Sequence, residues 1–153
     1  MKYYIIFSKK SIDINNSYGL VFRTICKTHF FKRKYFVYDD KNVLLCVFEK
    51  SDFLLFFTKT KIIINNLNYD FLYFKKGQTN FLTLQDNIIS YKENLIGYLK
   101  SEFMLNNKVI GTINEEYEFP NNRISFNFYE NNIINYSCLL LFIISSTAYW
   151  DPN

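Results

Sequence analysis

Histidine and alanine each occur once in this chain of 153 residues, beside 4 glycines, 2 prolines and 3 cysteines. The single histidine, His29, gives histidine-dependent catalysis little to stand on. Cys26-Lys27-Thr28-His29 has the spacing of half a metal site, but zinc normally takes four ligands and no second C-x-x-C pair or histidine exists, so these residues read as part of a strand. As nucleophile and base, Cys26 and His29 would point to opposite faces of that strand. Neither a metal nor a cofactor is expected. The glycines, Gly19, Gly77, Gly97 and Gly111, never take the G-x-G-x-x-G spacing of a phosphate loop, which excludes a nucleotide fold of that kind. Three cysteines, Cys26, Cys46 and Cys138, are odd in number and sit in apolar or β-like contexts; they read as reduced thiols of a cytoplasmic protein. At the N-terminus, Tyr3 to Phe7 is too short for a secretory signal and lacks a small-residue cleavage site.

What the chain has in abundance is aromatic: 17 Phe and 13 Tyr. With the many Ile and Asn residues they are what AT-rich codons encode, so part of the bias reflects a genome. Phe, Tyr, Ile, Val and Thr nevertheless fit pleated sheets, and the expectation is a mainly β protein. The length suits a single domain over 1–153, large enough to bury a core without staples. A net charge of +4 and a pI near 8.8 come from lysines spread along the chain, where a nucleic-acid binder concentrates them. Nucleic acid is not an expected partner.

Short apolar runs separated by polar turns recur throughout. Tyr3–Phe7 reads as a strand, Lys9–Ser17 as a loop and Leu20–Ile25 as a strand. Tyr35–Tyr38 and Val43–Phe48 flank Asp39-Asp40-Lys41-Asn42, the pattern of a β-hairpin. Phe53–Phe57 and Ile62–Ile64 follow, then a turn at Asn65-Asn66, Tyr69–Phe74, a turn near Gly77, Phe81–Leu84, a turn at Asp86-Asn87 and Ile88–Tyr91. Leu95–Leu105 and Val109–Phe119 flank Asn106-Asn107, and Ile124–Tyr129 comes after Pro120. Asn suits these turns because it tolerates the left-handed backbone. Along the last strands Val109, Gly111, Ile113, Tyr117 and Phe119 alternate with Thr112, Asn114, Glu116 and Glu118, so one face is dry and the other wet. About twelve strands result.

The segment Ile133–Trp150 differs in kind. Cys138 to Ile144 are consecutive apolar residues, so a helix there would be apolar all round and must be covered on every side. A bilayer span needs about 20 apolar residues, whereas Asn135, Ser137, Ser145, Ser146 and Thr147 cut this run to seven. A buried helix is preferred over a central strand or a C-terminal membrane anchor. Asn131 or Asn132 would cap its start, and Pro152 would prevent its continuation. A sheet of twelve strands curls or closes, and its dry face needs a partner. The expected architecture is therefore a closed antiparallel barrel of about twelve strands around a hydrophobic C-terminal helix. The hairpin Tyr35–Phe48, the strands Ile96–Leu105 and Val109–Phe119, and S-C-L-L-L-F-I-I-S-S-T-A-Y-W (Ser137–Trp150) together resemble the tubby C-terminal-like superfamily, which includes LURP-one-related proteins and phospholipid scramblases. The resemblance implies a twelve-stranded barrel around a central helix, with phosphoinositide binding in tubby-type members and lipid contact in scramblases. It is one of order and pattern, so no functional residue carries over by position.

The expected function is non-enzymatic: a binding module, peripheral at the membrane if it docks on anionic phospholipid headgroups. Lys32, Arg33 and Lys34, flanked by aromatics and accompanied by Lys9-Lys10 and Lys75-Lys76, are the candidate lipid-binding residues, each basic residue contributing about 1 kcal/mol near an anionic surface. The alternatives are a protein-interaction domain without lipid binding and a small enzyme using surface carboxylates. For the last, Glu115, Glu116 and Glu118 are the candidates, although Glu116 and Glu118 read as a solvated face. No catalytic residue is assigned.

Overall fold

The computed structural model describes residues 1–8, 11–29, 32–53, 57–92, 101–118, 121–129 and 133–146, with the backbone alone at 52–53, 57–58, 115–118, 121–123 and 133. Its strands are β1 (Lys2–Phe7), β2 (Ser11–Asn16), β3 (Gly19–His29), β4 (Lys32–Asp39), β5 (Leu44–Phe53), β6 (Phe57–Asn65), β7 (Phe71–Lys76), β8 (Thr79–Leu84), β9 (Asn87–Lys92), β10 (Ser101–Leu105), β11 (Lys108–Glu118) and β12 (Asn121–Phe128). One helix, α1 (Ile133–Ser146), follows them. Every strand pairs antiparallel with its neighbour in sequence except β6 with β7, and β1 pairs with β12 through Lys2↔Asn127 to Ile5↔Ile124. The barrel is therefore nearly closed, with one seam between β6 and β7.

The total of about twelve strands holds through two offsetting corrections. The segment Lys9–Ser17, expected as a loop, contains β2, where Ile12 and Ile14 are fully buried between the more exposed Ser11, Asp13 and Asn15. Phe53–Phe57, expected as a strand of its own, instead contains the end of β5 and the start of β6, which pair with each other from Phe53↔Phe57 to Cys46↔Asn65. Residues 54–56 and 95–100, both expected within strands, lie outside the described residues. A bulge on β11 opposite Phe103/Met104 changes the expected alternation as well: it is Ile110 that packs against the core, because one extra residue shifts the side-chain parity. The turn residues behave as their chemistry requires. Asn42, Asn106 and Asn107 take positive φ, while at the β8–β9 turn Gln85 does so.

Inside the barrel, Cys138 to Ile144 are at most 3% exposed, and the Phe142 ring meets Phe126 edge-on with centroids 4.9 Å apart. Three of the polar residues that interrupt the apolar run face polar groups, while the buried Ser146 Oγ has no hydrogen-bond partner among the described residues. Ser137 Oγ lies 3.1 Å from the Tyr69 hydroxyl, Ser145 Oγ donates to Phe142 O at 2.9 Å and also pairs with the Tyr91 hydroxyl, and the Tyr3 hydroxyl faces Asn135. Buried polar groups with such partners are tolerated in a protein shell and costly in lipid. Among the described residues no helix is long and apolar enough to cross a membrane. The expected helix residues beyond Ser146, and the proposed caps Asn131 and Asn132, lie outside the described residues.

One position shows how tightly the wall is packed. At Gly111 a Cβ would sit 2.6 Å from Phe128 Cδ1 and 3.0 Å from the Asn127 carbonyl oxygen. The Phe128 ring cannot swing aside, being stacked on Phe103 and edge-on to Tyr3. Gly111→Ala should therefore cost about 1–3 kcal/mol, the usual penalty of overpacking. Urea denaturation checks this, and a midpoint equal to the parent's would show that the ring has room to move.

Candidate functional site

The seam begins where two asparagines pull the β6–β7 connection off the line of a hairpin. Asn65 Nδ2 donates to Tyr69 O at 2.9 Å while its Oδ1 accepts from Leu67 N–H at 3.0 Å. Asn66 ties the connection to the neighbouring strand, its N–H donating to Leu45 O at 2.8 Å and its Nδ2 to Leu44 O at 3.0 Å. The chain turns at Asn65-Asn66 as expected, but β6 and β7 do not pair across it, and Asn66 is bonded to β5 instead.

Beneath this connection a cavity of about 300 Å³ opens beside the first turns of α1. Its lining is Phe22 from β3, Leu45 from β5, Asn66 to Tyr69, and Tyr136 and Leu140 from the helix. Residues four apart on a helix share a face, which is why Tyr136 and Leu140 both reach it. The half-exposed Tyr136 meets Phe22 edge-on with centroids 5.8 Å apart. Burial pushes the Tyr69 phenol up from its ordinary pKa, against the lowering effect of its Ser137 hydrogen bond, so it is neutral at physiological pH. Among the described residues no carboxylate, cation, histidine or thiol lines the cavity. Such walls accept an apolar group and offer two amides, Asn66 and Asn68, at the rim.

The described basic residues singled out in the sequence lie on different strand parities and strands. Strand alternation divides them: Lys32 and Lys34 are on the outer face, whereas Arg33 shares the inward parity of Tyr35 and Val37. Lys32 and Lys34 both reach Glu49 on β5, at 3.3 and 4.0 Å. Lys9-Lys10 lies outside the described residues, and Lys75-Lys76 is on β7, across β5, β6 and the seam. Burial pushes the Cys26 thiol up, against the lowering effects of hydrogen bonds with Thr28 and Tyr35 and of the half-exposed Arg33's charge. Cys26 is half-buried on the inward parity and His29 is exposed, so the two face opposite ways as expected. Burial pushes the Cys46 thiol up to about 12 and Cys138 higher still, which leaves both as unreactive packing groups. The side chains of Glu115, Glu116 and Glu118 lie outside the described residues. Among the described residues no three His, Cys, Asp or Glu side chains converge as a metal site.

Sequence reasoning missed Lys50. It pairs with Arg33 across β4 and β5, is 5% exposed, and donates from Nζ to Ser145 O at 3.2 Å. A cation there faces the carbonyl end of α1, where the helix dipole is negative. Its signal was the alternation Cys46, Phe48, Lys50, which points the lysine inward. Comparison with protein-family models, with curated proteins and with solved structures gives no significant match.

Proposed function

We propose that this protein is a non-enzymatic binding module of the tubby-like type, and that its ligand presents an apolar group to the cavity between α1 and the β6–β7 connection. The observation that carries this reading is the cavity itself, about 300 Å³ with, among the described residues, an apolar lining and no ionisable group suited to proton transfer. That volume lies at the lower end of small-molecule sites and suits a single ring or a short acyl tail. The described helix residues Cys138 to Ile144 are themselves buried in the lumen. Docking on anionic headgroups through Lys32, Arg33 and Lys34 has less support, because Glu49 already neutralises much of the outer pair and Arg33 faces the other way.

Filling the cavity tests the reading. Leu67 is half-buried on a connection whose main chain is held by Asn65 and Asn66, so Leu67→Trp should occupy the space without disturbing the barrel. A neutral naphthylamine fluorophore should bind the parent saturably with enhanced emission, and binding should fall at least about tenfold in the variant at an unchanged melting midpoint. Equal binding by both proteins would remove the cavity as the site.

A further inference from the structure

The two edges of the seam carry more than a gap. β6 and β7 are the terminal strands of the sheet, each paired on one side only among the described residues. The outer face beside β7 is apolar: Leu72 is 72% exposed, Phe74 45% and Ile88 46%, with Phe74 stacked on Phe81 at 4.8 Å. β7 contains no proline and pairs with β8 in unbroken register from Phe71↔Leu84 to Lys76↔Thr79. It therefore lacks a bulge to turn the edge away, one of the devices by which sheets discourage strand addition.

We propose that the seam is a strand-accepting site, at which the β7 edge takes an extended acidic and apolar segment of a partner protein, added antiparallel as a further strand. Charge selects this occupant. Because β6 and β7 run antiparallel from a short connection, Lys59 and Lys61 near the start of β6 lie at the same end of the seam as Lys75 and Lys76 at the end of β7, and all four are exposed. An antiparallel guest would set acidic residues in its first half against these lysines and apolar residues in its second half against Phe74 and Leu72. Edge lysines oppose pairing with most strands, so the same residues that admit an acidic guest exclude others. A second copy fits poorly. Antiparallel pairing of β7 with itself sets Lys75 and Lys76 against the other copy's Leu72 and Phe71, and each chain carries a net charge of +4. Main-chain hydrogen bonds would supply the affinity and the side chains the choice of partner.

The experiment uses the full chain and a fluorescein-labelled decapeptide of four glutamates followed by alternating valine and threonine, read by fluorescence polarisation at low salt. Binding should be saturable, weaken with salt, and vanish when lysines replace the peptide's glutamates. In the hairpin closed by Lys76 and Thr79, paired residues alternate in hydrogen bonding, so the Lys75 N–H is directed away from β8. Lys75→Pro should therefore abolish binding at an unchanged melting midpoint, while Lys75→Gln retains part of it. Leu72→Asp, at an exposed side chain, is the second variant and should weaken binding at least about tenfold. Absence of binding, equal binding of the lysine peptide, or full binding by Lys75→Pro and Leu72→Asp would overturn the proposal. So would a parent that sediments as a dimer which Lys75→Pro dissociates, since the occupant would then be a second copy.

Discussion

Ending the chain at Glu130 should yield insoluble or molten protein. The six residues Leu139 to Ile144 are at most 3% exposed, and burying each such side chain stabilises by roughly 1.5–3 kcal/mol. Their joint loss, about 9–18 kcal/mol, is comparable to the whole net stability of about 5–15 kcal/mol typical of a domain. Deletion would also leave Tyr69 and Tyr91 without Ser137 and Ser145, and the inward aromatics Phe126 and Tyr91 without Phe142. Leu141→Asp, which sets a charge with no partner at a fully buried position, should act nearly as strongly. Near-ultraviolet circular dichroism and dye binding report the outcome: the truncated protein should lose fixed aromatic signals while retaining strand content and exposing apolar surface. A truncated chain that melts sharply at the parent's midpoint would sink the central-helix architecture.

The same interior explains which parts of the fold were legible in the sequence. Seven consecutive apolar residues, too few for a bilayer, left a protein shell as the better cover for the helix, and twelve short strands were enough to supply one. β2 was missed because Ser11, Asp13, Asn15 and Asn16 outnumber Ile12 and Ile14: composition suggested a loop while the period of two marked a strand. Phe53–Phe57 misled in the opposite sense, since a continuous apolar run looks like an element even where two strands adjoin it. The seam left no local sign. Asn65-Asn66 resembles any other two-asparagine turn, and its difference lies in hydrogen bonds to Leu44 and Leu45, distant in sequence. The cavity inherits that illegibility because its walls come from β3, β5, the connection and α1. Lys32-Arg33-Lys34 is divided between two strand parities for a simpler reason: adjacent residues on a strand face opposite sides.

Lys50, inward by the same strand parity, is where the second large effect of mutation is expected. Its ammonium lies inside the barrel and donates to Ser145 O, in the last described turn of α1, on the carbonyl side of the helix. Arg33 is its cross-strand neighbour, so the site already holds a second positive charge of the same parity. Two effects oppose each other in Lys50→Met. The change removes the cost of burying a charge, but it leaves a buried carbonyl without this donor at about 1–3 kcal/mol and removes an interaction with the helix end worth up to about 2 kcal/mol. Methionine fills similar volume, so packing changes little, and the net loss should be about 2 kcal/mol. Lys50→Glu sets a carboxylate against the negative end of the helix and should cost more, about 3–5 kcal/mol, the range for a buried charge left without its partner. Urea denaturation of the three proteins should rank them parent, methionine, glutamate. A methionine variant at least as stable as the parent would mean that the lysine is tolerated at the helix end and does not secure it.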